Sequence, residues 1–465
     1  MSHLQFQSSQ SRLFLENLRK QRLDLACVVA VVGAIALRSS IPALIWISPF
    51  AIALVYFAFR VAPLPRTEKS WIAGCCGVAL LINTIVVTAF GYHNPEVHYV
   101  MLDDYQYLLE GRAISKAWSE GFYPALSLKG TLPYLGTLHT GYQRALACAF
   151  YLFGGKPLAA IAFNVFCISL IPAVGYLMGL TLAVSGRGKS NDAEGTDYTI
   201  PRAAALLASL NLCYAYWGTW ILKDCFLSLV FAVALVQSMD FLFSRRILPG
   251  LGCILMIPIV ATVRVYSAAF LVVGGAAYVL SLVPRRYVSI GVATAAIALA
   301  LVTYSDRGGT YVAQLMHSLT TLLPAEAKTT TGSIKYFAAG VPRLLLAPYA
   351  WVKAIGPNPL YGLYPGMWFL YLVVYPLGFA GLHLAARRNN LLVIVPFVTL
   401  ALAWMLRLLT FAGDSPRQRL YTEVILTTFA AIGIVNPQRK RWVAAWYGFL
   451  ILFAAAQLIS LYRHN

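Results

Sequence analysis

Charged side chains are scarce in this chain, and acidic side chains are the scarcer kind. Only 11% of the 465 residues are charged, and Asp and Glu together number 17. Hydrophobic residues make up 59%. This balance excludes an ordinary soluble domain, in which about a quarter of the residues are charged. Apolar runs recur along the whole length instead, and such runs are typical of a protein with many membrane-spanning helices.

Cysteine patterns that would indicate a disulfide framework or a zinc site are also missing. None of the eight cysteines has metal-ligand spacing with a histidine, and nearly all of them lie inside apolar runs. We interpret them as small apolar residues. They are Cys27, Cys75, Cys76, Cys148, Cys167, Cys213, Cys225 and Cys253.

The sequence shows no Gly/Ser tract, no detached soluble domain and no obvious internal repeat. The net charge of +19 could indicate a nucleic-acid partner. However, the basic residues cluster in the short gaps between apolar runs, where the positive-inside rule places them. The sequence therefore predicts membrane lipids as partners and no nucleic acid.

Hydropathy predicts an all-α polytopic membrane protein with about thirteen transmembrane helices. Several spans are shorter than the roughly 20 residues that cross the hydrocarbon core. The first two could instead form a hairpin that enters the bilayer without crossing it. The predicted spans are residues 23–37, 41–59, 71–91, 158–184, 202–221, 225–243, 247–263, 266–283, 287–304, 365–385, 391–408, 421–435 and 442–461.

Short basic linkers between these spans predict the orientation. If the N-terminus is cytoplasmic, all five of them fall on the cytoplasmic side, as the positive-inside rule requires. This agreement requires that the apolar segment 142–153 does not cross, and Arg144 within it favours a helix that lies at the interface. The basic N-terminal stretch is interpreted as a retained anchor. The five linkers are "FRVAPLPRTEK" (59–69), "SRR" (244–246), "PRR" (284–286), "ARRNN" (386–390) and "PQRKR" (437–441).

Two adjacent carboxylates then fall on the extracytoplasmic side. Asp103 and Asp104 lie in "VMLDDYQYLLEGR" (100–112), and the following residues can form a short helix that starts at the aspartates. One interpretation is a helix cap at the membrane surface, because acidic residues stabilise the positive end of a helix dipole. The other interpretation is a functional site, which needs further polar residues on the same side.

Other charged residues fall on this side. Lys223 and Asp224 lie at the junction of two spans, where a snorkelling lysine paired with its neighbour is the simpler interpretation. Arg264 interrupts an apolar stretch and is either a helix-end anchor or part of a site. Arg417 and Arg419 add two guanidiniums, which suit phosphate through a fork of donors. Lys328, Lys335, Arg343 and Lys353 are interpreted as exposed surface charges, and His93, His98 and His139 as surface histidines without a special role.

Carboxylates together with several arginines indicate an anionic ligand and a proton to remove. A lipid-linked phosphate presents that combination, since its tail lies in the bilayer and its head at the surface. A carboxylate could take the proton of an acceptor hydroxyl while the cations stabilise the departing phosphate.

The ordered motifs resemble the membrane glycosyltransferases of the GT-C superfamily, which includes protein O-mannosyltransferases and lipid A aminoarabinose transferases. Asp103-Asp104-Tyr105-Gln106-Tyr107 resembles the Asp-Glu-x-x-Tyr of their first outer loop, with Asp104 in place of Glu. The resemblance covers roughly residues 70–435. It includes four further elements: "FYP" (122–124), "HTGYQRALACAFYLFG" (139–154), "ILKDCF" (221–226) and "PRQRLY" (416–421).

The resemblance implies a GT-C-like fold and roles for individual residues. Asp103 would be the general base, Asp104 would support it or a metal, and Asp224 would be the acidic residue of the second outer loop. The candidate substrate contacts are Tyr107, Tyr142, Lys223, Arg264, Arg417 and Arg419. Some relatives use a divalent cation at this place and others do not, and the sequence shows no dedicated metal cage.

The chain also departs from the family. Residues 1–65 add a hairpin before the usual first span, and His139-Thr140 stand where the family has Lys-Pro. The stretch 305–364 holds no large soluble domain. These differences concern the acceptor more than the fold.

The sequence therefore predicts an inverting glycosyltransferase of the bacterial inner membrane, with a polyprenyl-phosphate-linked sugar as donor and a glycan or lipid as acceptor, in surface-glycan or exopolysaccharide synthesis. One alternative is a polysaccharide polymerase or ligase that uses a lipid-pyrophosphate-linked glycan. Another is a lipid or sugar transporter (flippase). The predicted parts are an N-terminal cytoplasmic segment with three spans (1–91), an extracytoplasmic catalytic loop with juxtamembrane helices (92–157), a transmembrane core (158–304), an extracytoplasmic loop (305–364) and the C-terminal spans (365–465).

Overall fold

A computed structural model describes residues 55–92, 94, 96, 102–120, 141–186, 197–282, 345, 369–388, 390–411 and 416–464. Their secondary structure is helical throughout, without a strand. The predicted spans 23–37 and 287–304 lie outside the described residues, as do most of 41–59 and most of the loop 305–364. The histidines of the first outer loop and the cations Lys328, Lys335, Arg343 and Lys353 also lie outside them.

Six helices in the described residues are long and apolar enough to cross a membrane. This finding confirms the prediction of an all-helical chain with several helices that could cross a membrane. The count of thirteen spans and the GT-C-like arrangement stay predictions. The six helices are Arg66–Ala89, Pro157–Ser185, Lys223–Ser244, Val265–Leu282, Leu370–Arg387 and Leu391–Leu408.

The described residues form two compact units. Unit 1 reaches Ala268 and unit 2 begins at Ala269, except that residues 185 and 186 belong to unit 2. The helices of unit 1 are α1 (Arg66–Phe90), α2 (Leu102–Ser119), α3 (Gly141–Phe153), α4 (Pro157–Ser169), α5 (Ile171–Ser185), α6 (Thr199–Ser209), α7 (Leu212–Gly218), α8 (Lys223–Ser244) and α9 (Ile247–Val263). Helix α10 (Val265–Leu282) leads into unit 2.

Helix α8 is the centre of unit 1. It is buried along almost its whole length and packs against α9, α4, α7 and α3. Helix α1 packs against α4, α6 and α7 and leaves a row of large apolar side chains exposed, including Leu81 and Ile85. An apolar exposed face is expected where a helix meets lipid rather than water.

One predicted span is interrupted. Residues 202–221 form the two helices α6 and α7 instead of one, with a break at Leu210 and Asn211. The Asn211 side chain caps α7 by accepting a hydrogen bond from the Cys213 amide at 3.0 Å. Asparagine favours such caps because its side-chain oxygen replaces the missing intrahelical acceptor.

Ion pairs gather the segments at one end of unit 1. Arg60 bonds to Asp240 at 3.3 Å and to Thr181 at 3.2 Å. Glu68, buried at the start of α1, accepts a hydrogen bond from Arg202 at 3.1 Å. Residues 59–69 and 244–246, both predicted to be cytoplasmic, therefore lie near the same end. Which compartment this end faces stays a prediction.

Unit 2 is built around two helices in very close contact. Helices α11 (Tyr375–Arg387) and α13 (Glu423–Ile434) meet at Gly381 and Gly433. A Cβ at Gly381 would lie 2.8 Å from the Gly433 nitrogen and would also collide with the Phe429 carbonyl oxygen. Small residues allow this backbone approach between membrane helices.

The remaining elements of unit 2 surround this pair. A π-helical turn, Leu370–Val374, leads into α11, and a 3₁₀ turn, Pro416–Thr422, leads into α13. The 3₁₀ turn Leu391–Val393 precedes α12 (Ile394–Phe411). The last helix, α14 (Arg439–His464), packs against α11.

Candidate functional site

A buried ion pair lies at the opposite end of α8 from Arg60. Asp224 Oδ1 is 2.9 Å from Arg264 Nη2. Both side chains are almost fully buried, with 1% and 3% of their surface exposed. Ions so far from water persist only when they are paired and hydrogen-bonded. The structure therefore brings together two of the charged residues singled out from the sequence.

Both residues of this pair lie at helix ends. Asp224 lies in the first turn of α8. Arg264 is extended, with φ −160° and ψ 100°, between α9 and α10. Its amide still donates to the Val260 carbonyl at 2.7 Å. The guanidinium carbon also lies 5.5 Å from the centre of the Tyr266 ring, close enough for a cation–π contact.

A fully buried asparagine holds the segment that precedes Asp224. Asn164 on α4 donates to the carbonyls of Trp220 at 2.8 Å and Leu222 at 3.2 Å. Its oxygen accepts from the Tyr142 hydroxyl at 3.2 Å. These bonds satisfy two carbonyls just before α8 begins, so Asn164 positions the start of that helix. We call the set Tyr107, Tyr142, Asn164, Asp224 and Arg264 the Asp224 cluster.

Aromatic contacts connect this cluster to the acidic helix α2. The rings of Tyr107 and Tyr142 meet edge to face, with centroids 5.1 Å apart. Tyr142 also lies 6.3 Å from Phe226 on α8. Burial holds the pKa of Tyr142 well above its usual value, so its phenol stays protonated and donates to Asn164.

Helices α2 and α3 pack along their length and run in the same direction. Beyond the Tyr107–Tyr142 contact, Gly111 lies against Leu146, and Trp118 packs with Cys148. The helix α3 has only 13 residues and is not among the candidate spans. That segment 142–153 does not cross the membrane stays a prediction.

A glycine brings α3 against the arginine. A Cβ at Gly141 would lie 3.0 Å from the Thr262 carbonyl carbon and from Val263 Cγ2, and it would collide with the Thr262 hydroxyl oxygen. A Cβ here would displace the Thr262 hydroxyl and press on the backbone carbonyl behind it, so glycine is favoured at this position. The start of α3 thus lies against the residues immediately before Arg264.

The two early aspartates lie in the first turn of α2, as the sequence predicts. Asp103 is partly exposed, whereas Asp104 is fully buried and accepts a hydrogen bond from the Tyr105 amide at 2.7 Å. Tyr107 follows one turn later and belongs to the Asp224 cluster. The structure therefore connects the aspartates to Asp224 through the two tyrosines and Asn164.

The remaining candidates lie elsewhere or are described only in part. Lys223 is partly exposed in the first turn of α8, beside Asp224. Arg417 and Arg419 lie in the 3₁₀ turn of unit 2. The Arg419 side chain is buried and binds Glu423 at 3.0 Å and the Tyr371 hydroxyl at 2.8 Å. Their roles as phosphate contacts stay predictions.

Sequence reasoning missed several buried polar residues. Asn164 lies inside a predicted span, and a single amide side chain in an apolar segment does not by itself indicate a site. Glu110, 2% exposed, accepts a hydrogen bond from Gln106 at 2.9 Å, one turn before it on α2. Glu423 is fully buried as the partner of Arg419. A search restricted to acidic residues inside or beside apolar segments would have found the two glutamates, because such residues are rare there.

No group of three or more His, Cys, Asp or Glu that could hold a metal ion occurs within the described part of the chain. Comparisons with protein families, curated proteins and solved structures give no match.

Proposed function

We propose that the protein is a membrane glycosyltransferase that moves a sugar from a polyprenyl-phosphate carrier to a glycan or lipid acceptor, with inversion at the sugar carbon. One observation carries the proposal. The acidic start of α2, the start of α3, the Lys223–Asp224 junction and Arg264 come from four distant parts of the chain, and contacts between described residues join them at one end of unit 1.

The proposed reaction needs one base and one stabilised leaving group. Asp103 accepts the proton of the acceptor hydroxyl while the acceptor oxygen forms a bond to the anomeric carbon. The bond from that carbon to the phosphate oxygen breaks, and its electron pair leaves with the polyprenyl phosphate. A partly exposed carboxylate suits this role, because the acceptor must reach it.

The charges around Asp224 suit the other half of the reaction. Arg264 is already compensated by Asp224, so the pair holds the arginine in place without adding net charge. Lys223 lies next to the pair and is partly exposed. A cation held there can contact a phosphate whose lipid tail lies in the bilayer, and fixed charge at the leaving group lowers the barrier.

The proposal includes a membrane placement. The protein would lie in the bacterial inner membrane with about thirteen spans in a GT-C-like arrangement, a cytoplasmic N-terminus and an extracytoplasmic site. Two findings support it. The basic linkers near Arg60 gather at one end of unit 1, and the Asp224 cluster lies at the other. A divalent cation stays an option, with Asp104 as its candidate support.

The test is transfer of radiolabelled sugar from a panel of polyprenyl-phosphate-linked donors by the purified protein in lipid vesicles. We expect Asp103→Asn to lower turnover by about 100-fold or more, the usual contribution of a positioned base, while expression stays unchanged. Glu120→Gln is the matched control, since Glu120 is an exposed carboxylate just beyond α2. Near-normal turnover of Asp103→Asn would overturn the assigned role.

The same assay addresses the two alternatives. A polymerase or ligase that uses a lipid-pyrophosphate-linked glycan should lose more activity from Arg417→Ala than from Asp103→Ala. A transporter should move labelled substrate across the vesicle membrane without forming a glycosidic product.

A further inference from the structure

The turn between α8 and α9 contains an uncommon backbone conformation. Arg245, the residue after α8, has φ 56° and ψ 23°, which is the left-handed region. It is the one residue other than glycine with a positive φ in the part of the chain that the structure describes. Glycine or asparagine usually takes this position at a helix end, because a Cβ disfavours the conformation. An arginine that keeps a strained backbone is therefore a reason to look for a function of its side chain.

Local contacts hold this turn in place. The Arg245 amide donates to the Phe241 carbonyl at 2.8 Å, and the Ser244 hydroxyl donates to the Asp240 carbonyl at 2.7 Å. Gly250, near the start of α9, lies so close to the Phe241 ring that a Cβ there would be 2.8 Å from Cδ2. The backbone of the turn is therefore fixed between two helices that pack against each other.

Positive charge exceeds negative charge around the turn. Asp240 is buried, is paired with Arg60 at 3.3 Å and lies within electrostatic reach of Arg246. Arg245 and Arg246 are both exposed. The Arg245 side chain makes no hydrogen bond or ion pair with any residue that the structure describes. Among these residues one carboxylate thus faces three guanidiniums, so the turn can take up an anion.

Large apolar side chains are exposed on the helix ends that flank the turn. They are Phe241 and Phe243 at the end of α8 and Leu251 on α9. Helix α8 is itself one of the helices long and apolar enough to cross a membrane. Basic residues directly beyond such a helix lie at the level of the lipid headgroups. Guanidiniums beside exposed apolar side chains suit a molecule that has an anionic head and an apolar tail.

We propose that Arg245 and Arg246 bind the headgroup of an anionic phospholipid, with its phosphate on the guanidiniums and its acyl chains against the exposed apolar side chains. Arginine matches phosphate through a fork of donors, and the excess positive charge of the turn favours a lipid with net negative charge over a zwitterionic one. Such a site goes beyond the general contact with lipid that is expected of any membrane-spanning helix. It depends on the membrane placement of α8 and is independent of glycosyl transfer.

The test is native mass spectrometry of the purified full-length protein in detergent, titrated with phosphatidylglycerol or with phosphatidylethanolamine of the same chain length. We expect the protein to bind phosphatidylglycerol more tightly. Arg245→Gln and Arg246→Gln should each weaken that binding about fivefold, the usual contribution of one basic residue beside anionic lipid. Arg388→Gln is the matched control, because Arg388 is an exposed arginine directly after α11 with an ordinary φ of −78°. It should leave phosphatidylglycerol binding unchanged.

A glycine at position 245 separates lipid binding from folding. Glycine adopts the left-handed conformation without the Cβ penalty, so Arg245→Gly should raise the melting temperature of the lipid-free protein. The same variant should bind phosphatidylglycerol as weakly as Arg245→Gln, because both lack the guanidinium. If Arg245→Gly instead melts at a lower temperature and binds phosphatidylglycerol like the wild type, Arg245 has only a structural role and the proposal is wrong.

Two further results would also overturn the site. Equal binding of phosphatidylglycerol and phosphatidylethanolamine would show that the net charge of the lipid does not matter. Equal losses in Arg388→Gln and Arg245→Gln would show a general attraction of basic residues to anionic lipid and no particular site. Asp103→Asn should bind phosphatidylglycerol like the wild type whatever its transfer rate, so the lipid site and the proposed enzyme activity can fail separately.

Discussion

The buried pair of Asp224 and Arg264 supports a sharp prediction about stability. Two unit charges about 4 Å apart attract by about 4 kcal/mol at an effective dielectric constant of ~20. Removal of one partner forfeits that attraction and leaves the other ion without compensation inside the protein. Such single changes cost about 3–5 kcal/mol. We therefore expect Asp224→Asn and Arg264→Gln each to destabilise unit 1 by this amount.

A double variant distinguishes the net contribution of the ion pair to stability from the cost of leaving one buried ion unpaired. When both partners become apolar, neither an unpaired ion nor its desolvation cost remains, and such replacements are often neutral or stabilising. We expect Asp224→Leu/Arg264→Met to recover most of the stability that either single variant loses. Transfer activity should stay low in the double variant if the pair positions Lys223 for the phosphate.

The assay heats each variant in the same detergent and measures thermal unfolding as the loss of the monodisperse peak in size-exclusion chromatography. The pair Lys116–Glu120 is the matched control because it is 3.8 Å apart and both side chains are more than half exposed. An exposed pair of this kind contributes about 0.3–0.5 kcal/mol. If Asp224→Asn costs no more than Glu120→Gln, or if the single effects simply add in the double variant, the reasoning about this pair is wrong.

Two glycine substitutions test the close contacts in each unit. Gly141→Ala should destabilise unit 1 by about 1–3 kcal/mol and lower transfer, because its Cβ overlaps Thr262 just before Arg264. Gly74→Ala is its control, because nothing lies within 4 Å of that Cβ, and it should be neutral or stabilising by about 0.5–1 kcal/mol; equal melting temperatures for the two variants would contradict the contact. Gly433→Ala should force α13 away from Leu377 on α11 and lower the yield of folded protein by more than Gly448→Ala on α14, where the Cβ meets open space. Normal folding of Gly433→Ala would show that this helix contact is looser than described.

Much of the helical organisation could be predicted because hydropathy is a local property. The predicted span 391–408 coincides with Leu391–Leu408, and 225–243 lies within Lys223–Ser244. The hydropathy of one segment depends only on its own residues. It therefore predicts an apolar helix without knowledge of the helices that pack against it. The break in 202–221 was missed because Asn211 can cap a helix or lie within one, and only its neighbours decide which.

The partners of the charged residues could not be predicted in the same way. The sequence indicated Asp224 and Arg264 separately, and it placed Arg419 among possible phosphate contacts without its partner Glu423. Arg419 and Glu423 are one helical turn apart, but Asp224 and Arg264 are separated by 40 positions and Tyr56 and Asp240 by 184. Contacts over such distances depend on how helices pack.

The sequence alone determined that the chain forms apolar helices long enough to cross a membrane, because the hydrophobic effect is proportional to apolar area and can be summed along the chain. It also singled out the rare charged residues as candidates for a site. Only the tertiary structure decided which of the described charges neutralise each other. Electrostatic and hydrogen-bond energies depend on distances between atoms far apart in sequence, and packing sets those distances.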